Sequence, residues 1–210
     1  MKKFKASTSK KNTIVISLGD PAGIGTEITL KALGSHLINK NIEPFLVGCK
    51  NNIYETYLKL LNKGIKNIPD PNSLDILDIP LEQKVTPGIV NKLTGSASFN
   101  FLSTATKLVI EGIGTALVTA PISKIAWHKA GHKFAGQTEL LGKLTNKKTS
   151  MLFTAVSPNN GWRFNTLLAT THIPLEKIND NLTKELITSK LDALLSFCKQ
   201  FNDEPTIYIA

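Results

Sequence analysis

Apolar residues along this chain fall into short runs, which alternate with longer stretches where they recur at three- and four-residue spacing. The short runs predict β-strands at Thr13–Leu18, Glu43–Val47, Thr115–Thr119, Ser150–Val156, Asn165–Thr170 and Thr206–Ile209. The longer stretches predict helices near Gly25–Ile38, Asn51–Lys63, Ser96–Glu111, Gln137–Leu144 and Thr183–Phe201. Strands that alternate with helices in this way predict an α/β fold packed in layers.

The sequence also predicts how the chain is organised. Residues 1–12 carry five lysines and no acid, which is typical of a basic, disordered leader. Residues 65–95 hold four prolines among short apolar pieces and predict an irregular connection. We expect a first α/β lobe over residues 13–121 and a second over residues 122–210, because an apolar strand ends in a turn near Pro121.

Composition argues against several classes of protein. The formal net charge is +9, but the leader supplies five of the basic residues. Arg163 is the single arginine, and arginine suits bidentate contacts with phosphate and guanine best, so we do not expect a nucleic-acid-binding protein. No apolar run is long enough for a membrane span and the leader lacks the apolar centre of a secretory signal, so we expect a soluble, cytoplasmic protein. Cys49 and Cys198 lie far apart, which predicts free, partly buried thiols.

The segment Gly19-Asp-Pro-Ala-Gly-Ile-Gly-Thr-Glu27 joins the first predicted strand to the first predicted helix. Its glycines would let backbone N–H groups approach an anionic ligand, and the helix N-terminus adds partial positive charge. The glycine spacing matches neither the dinucleotide fingerprint nor the P-loop. We therefore expect either a site for a phosphorylated substrate that includes Asp20, or an ordinary turn between a strand and a helix.

Three further segments place polar residues after a strand or at the start of a helix: Thr119-Ala-Pro-Ile-Ser-Lys124, Gly136-Gln-Thr-Glu139 and Thr170-Thr-His-Ile-Pro174. Ligands of α/β proteins gather beyond the carboxyl ends of strands, so we expect these turns to share one cleft for a small anionic molecule. Lys124 follows a proline turn that could aim its ammonium inward as a phosphate or carboxylate contact. The alternative is one more surface lysine.

His172 is the strongest single candidate for chemistry, because a histidine at a strand end before a proline turn is held near the ligand-facing edge. The alternative is a structural histidine, since an open metal site needs about two more protein ligands. His128 and His132 are spaced to pair on a helix, but Gly131 lies between them and makes the pair weak.

Other apolar side chains are interpreted as packing residues. The last predicted helix has one apolar face, formed by Leu186, Leu191, Leu194, Leu195 and Cys198. Aromatic residues without the spacing of a base-stacking surface are expected in core or lobe contacts: Trp127, Trp162 and Phe164.

Taken together, four motifs resemble the family of 4-hydroxythreonine-4-phosphate dehydrogenase, or PdxA, an enzyme of vitamin B6 biosynthesis. They are the glycine segment at 19–27, the Thr-Ala-Pro-Ile-x-Lys segment at 119–124, Ala130-Gly-x-x-Phe-x-Gly-x-Thr-Glu139 and Ala169-Thr-Thr-His-Ile-Pro-Leu175. Each motif alone is weak, but the four occur in the order and approximate spacing of the family.

The resemblance implies a two-lobed α/β/α fold like that of isocitrate dehydrogenase, a homodimer, NAD(P) as oxidant and a divalent metal ion (Zn, Mg or Co). It implies that His172 is a metal ligand and that Gln137 and Thr138 bind the substrate, with Lys124 and Asp20 supporting its anionic groups. The implied reaction is oxidation of 4-phosphooxy-L-threonine, followed by decarboxylation to 3-amino-2-oxopropyl phosphate in the biosynthesis of pyridoxal phosphate. It points to no catalytic or cofactor-binding residue in this chain.

Two departures from the family pattern matter. Gln137 stands where the family usually has histidine, and glutamine can donate a hydrogen bond to phosphate but does not titrate. The chain also ends where family members continue into a segment with the second metal-binding histidine, so we expect the C-terminal part to be missing and the chain to be inactive alone. The alternatives are a 4-phospho-erythronate or threonate dehydrogenase of the same family, and a non-catalytic fragment that binds a partner subunit.

Overall fold

A computed structural model describes residues 12–36, 41–201 and 204–209, which form two compact units divided between Lys147 and Lys148. Residues 122–147 therefore pack with the first unit, whereas the predicted lobe boundary lay near Pro121. The division of the protein into two lobes at that point stays a prediction. Of the predicted leader, residues 1–11 lie outside the described residues and Asn12 already begins a strand.

The first unit is built around a four-stranded parallel sheet with the strand order β3-β2-β1-β4. Its strands are β1 (Asn12–Ser17), β2 (Ile42–Gly48), β3 (Asp75–Asp78) and β4 (Ala116–Thr119). Three helices connect them in turn: α1 (Gly25–Leu33), α2 (Lys50–Asn62) and α3 (Lys92–Ile110). Parallel strands need such crossover connections, so the predicted alternation of strands and helices is confirmed.

Successive residues of a strand point to opposite faces of the sheet, so apolar side chains lie on both faces. Helices cover each face. On one face, strand residues pack with α3 in a cluster of Val15, Phe45, Val47, Cys49, Ala97, Phe101 and Ala105. On the other face, strand residues pack with α1 and α2 in a cluster of Ile16, Leu18, Leu30, Leu46, Ile53 and Leu60. The first unit is therefore an α/β/α sandwich.

Helix α3 also carries a second layer, made by α4 (Lys124–Lys129) and α5 (Gln137–Thr145). A third buried cluster joins these helices through Leu102, Trp127 and Leu140. Gly95 lets α4 approach α3 closely, since a Cβ there would lie 2.0 Å from the carbonyl oxygen of Ala126. Trp127 is fully buried, as expected for a core residue.

Three predicted boundaries in the first unit were wrong. The segment 65–95 is not wholly irregular, because it contains β3, a four-residue strand with acids at both ends that gave no apolar run. Helix α3 begins at Lys92 instead of Ser96, because Asn91 and Thr94 form a reciprocal capping box ahead of Gly95. Helix α1 ends at Leu33, and the last two residues of its predicted span lie outside the described residues.

The second unit contains an antiparallel hairpin of β5 (Leu152–Val156) and β6 (Arg163–Leu167), followed by α6 (Ile178–Asn181) and α7 (Lys184–Cys198). Between residues 148 and 209, no described residue is buried. The apolar face of α7, expected to pack in a core, is only half-buried. Trp162 and Phe164 are exposed and contact each other, so neither is a core residue, and the alternative of lobe contacts stays a prediction for them.

The predicted strand at Thr206–Ile209 was also wrong. The described residues of that segment pair with no strand, and Tyr208 is 88% exposed. An apolar run becomes a strand only where a neighbouring strand satisfies its backbone groups, and neither β5 nor β6 pairs with this segment. The cysteines are free as predicted, with Cys49 buried and Cys198 half-buried.

Candidate functional site

The carboxyl ends of β1 and β4 lie where the strand order of the sheet reverses. The chain steps from β1 to β2 to β3 in one direction and then returns through α3 to β4, on the other side of β1. Helix α1, which follows β1, and helix α3, which leads into β4, cover opposite faces of the sheet. Ligands of open parallel sheets bind at such a switch point, and the turns at 18–24 and 120–123 occupy it.

Two glycines let the turn after β1 pack against the turn after β4. A Cβ on Gly19, whose φ is +69°, would lie 2.2 Å from the carbonyl oxygen of Pro121. A Cβ on Gly25 would lie 3.0 Å from the Cβ of Ala120. The Asp20 N–H donates to the Pro121 carbonyl at 2.9 Å. The glycines therefore serve close backbone packing, a role that their spacing in the sequence does not reveal.

Hydrogen bonds inside the turn use several of its N–H groups. The Ala22 N–H donates to Asp20 Oδ1 at 2.8 Å, and the Gly23 N–H donates to the Asp20 carbonyl at 2.9 Å. The first bond of α1 runs from the Ile28 N–H to the Ile24 carbonyl, so the N–H groups of the first helical residues have no acceptor within the helix. Donors suited to an anion therefore lie in the first turn of α1.

The carboxyl group of Asp20 is buried, with 5% of the residue exposed. Burial raises the pKa of this carboxyl above its usual range, and the hydrogen bond from the Ala22 N–H opposes that rise. The geometry gives Asp20 a role in closing the turn. Its predicted contact with substrate stays a prediction.

Asn52, on α2, contacts this turn from outside it and was not singled out in the sequence. Its Nδ2 donates to the Pro21 carbonyl at 3.2 Å, and its Oδ1 accepts from Thr26 Oγ1 at 3.1 Å. The Gly88 N–H donates to the Ala22 carbonyl at 2.8 Å. Apolar periodicity places Asn52 on the polar face of its helix, so no sequence signal reveals these contacts.

The turn after β4 connects the glycine turn to the start of α5. Gln137 Nε2 donates to the Ala120 carbonyl at 3.1 Å. A Cβ on Gly136 would lie 3.8 Å from Lys124 Nζ and 3.4 Å from Glu139 Oε2, so both charged groups lie beside the backbone that opens α5. Lys124 is exposed, whereas Gln137 is half-buried.

The structure thus brings together four of the five predicted site residues: Asp20, Lys124, Gln137 and Thr138. Three turns from separate parts of the sequence meet there, and they offer an ammonium, an amide and a hydroxyl. These are the groups that recognise phosphate and carboxylate oxygens. Their roles as ligand contacts stay predictions.

His172 lies in the second unit, in the bend between β6 and α6. Its side chain is exposed and its φ is +57°, in the left-handed region that few non-glycine residues adopt. Strained backbone of this kind clusters at functional sites. The exposed ring argues against the alternative of a packed core histidine, and its role as a metal ligand stays a prediction.

The described residues do not by themselves form a cation site. No three of their His, Cys, Asp and Glu side chains come together in a group that could hold a metal ion. His132 stacks on Phe99, with ring centroids 3.6 Å apart, and burial lowers the pKa of its imidazole. The stacking explains His132 as a packing residue, which further weakens the predicted pair of His128 and His132. Among the residues singled out in the sequence, His172 is the single candidate metal ligand.

The first unit is layered, and its polar turns meet at the switch point of a parallel sheet. These features define the class of protein: an α/β protein with a candidate site for a small anionic ligand. Comparison with known proteins narrows the class to one family. Residues 40–210 match the profile of the pyridoxal phosphate biosynthetic protein PdxA, and the chain belongs to this family.

Similar proteins support the assignment. The chain is 48% identical over 198 residues to a 4-hydroxythreonine-4-phosphate dehydrogenase of Synechococcus sp. strain RCC307, which covers 94% of this chain and 60% of the relative. It is 33% identical to a D-threonate 4-phosphate dehydrogenase of Pectobacterium atrosepticum, over 94% of this chain and 62% of the relative. The solved structure of a 4-hydroxythreonine-4-phosphate dehydrogenase from Klebsiella pneumoniae matches with a TM-score of 0.75 and 29% identity, over 92% of this chain and 60% of the other.

The chain spans about 60% of the length of these relatives. Among the residues that the structure describes, no helix has the length and apolar character to cross a membrane. The predictions of a family resemblance and of an α/β/α fold are confirmed.

Proposed function

We propose that this chain forms the N-terminal part of a dehydrogenase that oxidises 4-phosphooxy-L-threonine with NAD(P) in the biosynthesis of pyridoxal phosphate. The observation that carries the proposal is the meeting of three polar turns at the switch point of the sheet, in a chain of the PdxA family. When bound, the nicotinamide cofactor would accept a hydride from the secondary alcohol carbon, and the resulting β-keto acid would lose carbon dioxide to give 3-amino-2-oxopropyl phosphate.

The proposed roles of this chain's residues follow from their chemistry. Lys124 supplies a positive charge beside the start of α5, where it suits a phosphate or carboxylate group. Gln137 uses Nε2 to hold the Ala120 carbonyl, which leaves its Oε1 and its second amide hydrogen for the ligand. Thr138 adds a hydroxyl that can donate or accept.

We further propose that His172 provides one ligand to a divalent cation (Zn, Mg or Co), in a homodimeric cytoplasmic enzyme. Open catalytic cation sites take about three protein ligands, and the described residues contain no such group. We therefore expect the 210-residue chain alone to bind metal weakly and to show no dehydrogenase activity. NADH formation by the purified chain, followed by absorbance, would overturn this expectation.

A second candidate function is oxidation of a phosphorylated sugar acid, such as D-threonate 4-phosphate or 4-phospho-erythronate. The relative named D-threonate 4-phosphate dehydrogenase favours it, as does Gln137 in place of the usual family histidine. The two substrate classes differ by a hydroxyl in place of an amine. A neutral amide can accommodate either group.

Calorimetric titration of the purified chain tests the proposed ligand. We expect it to bind 4-phosphooxy-L-threonine and to bind L-threonine far more weakly, because L-threonine lacks the phosphate group that Lys124 is proposed to contact. Lys124→Met should weaken binding roughly tenfold, which corresponds to one charge-assisted hydrogen bond. Lys133→Met, an exposed lysine on the same stretch, is the matched control and should bind as the wild type does.

The outcomes separate the candidates. Tighter binding of D-threonate 4-phosphate than of 4-phosphooxy-L-threonine would replace the first proposal with the second. Equal binding of L-threonine and its phosphate ester would contradict both proposals, because each requires that binding depend on the phosphate group.

A further inference from the structure

Asn52 joins the two ends of the segment that follows β1. Its Nδ2 donates to the Pro21 carbonyl, inside the turn, and its Oδ1 accepts from Thr26 Oγ1, in the first turn of α1. The orientation of the amide is fixed by chemistry, because a carbonyl oxygen can only accept and so must face the NH₂ group. Asn52 is half-buried and Thr26 is buried, so both bonds are partly shielded from bulk water.

The other hydrogen bonds that join the turn to neighbouring segments are made between backbone groups. Asp20 is held by the carbonyl of Pro121, and Ala22 accepts from the N–H of Gly88. Backbone contacts cannot be removed by substituting a side chain. Asn52 is therefore a contact through which the turn can be loosened without changing any residue of the turn itself.

We propose that Asn52 is a positioning residue, which holds the turn at 19–24 and the first turn of α1 in the arrangement that receives the anionic group of a phosphorylated ligand. This inference rests on the proposed function, because it concerns the same site. Asn52 itself does not contact the ligand. By fixing the donors before the ligand arrives, it reduces the conformational entropy lost on binding.

The alternative is that Asn52 only fastens α2 to α1. In that case Asn52→Ala would lower the free energy of unfolding, but the folded variant would bind ligand as the wild type does. Affinity measured well below the unfolding transition, together with amide exchange in the turn, separates the two roles.

The experiment compares wild type, Asn52→Ala and Asn51→Ala in the full 210-residue chain. Asn51 is the exposed neighbour on the same helix, so Asn51→Ala matches the change in composition and helix propensity. Each protein is titrated with 4-phosphooxy-L-threonine and, separately, with inorganic phosphate. We expect Asn52→Ala to bind roughly three- to tenfold more weakly, which matches the loss of about one hydrogen bond, and Asn51→Ala to bind normally.

Hydrogen exchange provides the second readout. Amides of residues 19–26 should exchange faster in Asn52→Ala than in wild type, while those of α3 stay unchanged. Weaker binding together with faster exchange in this segment supports the proposal. Any other combination in the folded variant overturns it.

A second pair of variants keeps the test decisive if Asn52→Ala does not fold. Thr26→Val removes the hydroxyl that reaches Asn52 and keeps the branched shape, whereas Thr26→Ser keeps the hydroxyl. We expect weaker binding for Thr26→Val and near-normal binding for Thr26→Ser. Equal binding by the two overturns the positioning role.

Failure of the proposed function gives a different result. If wild type binds neither probe, the ligand has been placed wrongly and the positioning role falls with it. If wild type binds 4-phosphooxy-L-threonine and the Asn52 and Thr26 variants bind it equally well, only the positioning role is overturned.

Discussion

At the scale of single residues, the site depends on side chains that the sequence shows but does not place. His172, Lys124 and Gln137 could be named because each follows or begins a predicted element at a motif position. Asn52 could not, because its two hydrogen bonds span 26 and 31 residues of sequence and leave no periodic signal. The packing role of Gly19 was equally hidden, since it depends on a carbonyl of the turn after β4.

Asp20 gives a prediction about pH. Its pKa is raised by burial, so the folded state favours the protonated carboxyl and loses stability as pH rises from the usual range through the raised pKa. We expect Asp20→Asn to remove this loss, so that its free energy of unfolding falls less than that of wild type between pH 4 and pH 7. Urea unfolding at a series of pH values measures the difference.

Asp70 supplies the matched control for that experiment. Its Oδ1 accepts from the Asn72 N–H at 2.8 Å, the same local bond that Asp20 makes with Ala22, but in an exposed position. Asp70→Asn therefore controls for the replacement of a carboxyl by an amide within this kind of local bond. Identical pH profiles for wild type and Asp20→Asn would contradict the assignment of this loss of stability to the buried carboxyl of Asp20.

At the scale of elements, sequence periodicity found three of the four strands of the sheet and the three helices that connect them, but not all of their ends. β3 was missed because an edge strand of four residues, two of them acidic, owes its existence to pairing with β2. α4 was missed because six residues are too few for a helical period to appear. Its position depends on contacts with α3, which sequence patterns do not report.

One buried hydrogen bond between α3 and α4 allows a sharp test of that packing. Trp127 Nε1 donates to Ser98 Oγ at 2.8 Å, and Ser98→Ala would leave the buried N–H without an acceptor. We expect a loss of about 1–3 kcal/mol in the free energy of unfolding, measured by urea denaturation.

Ser103 provides the control on the same helix. Its hydroxyl is buried with no hydrogen-bond partner, so Ser103→Ala should cost little or even stabilise the protein. Equal losses for the two variants would show that the bond to Trp127 is not what stabilises the contact between the helices.

At the scale of the whole molecule, the two units differ in kind. The buried core residues among those described all belong to the first unit, whereas the second consists of exposed or half-buried elements. The sequence predicted the elements of both units with similar success, because strand and helix patterns depend on local alternation. It could not predict that α7 would lack a covering layer, since that depends on what packs against the helix.

This contrast predicts the course of limited proteolysis. Segments with few buried contacts open at low free energy, so thermolysin should cut first between residues 148 and 201. A fragment that contains the parallel sheet should persist longer, as mass spectrometry of a digestion time course would show. First cuts within α3 would contradict the prediction, because that helix lies between two packed layers.

The two tryptophans fall one in each unit, and this has a practical consequence. Trp127 is 0% exposed and Trp162 is 62% exposed. An indole shielded from solvent emits at shorter wavelength than a hydrated one, and a soluble quencher reaches it poorly. The emission spectrum of the unaltered chain therefore contains a separate optical signal for each unit, and the loss of either can be followed without attaching a label.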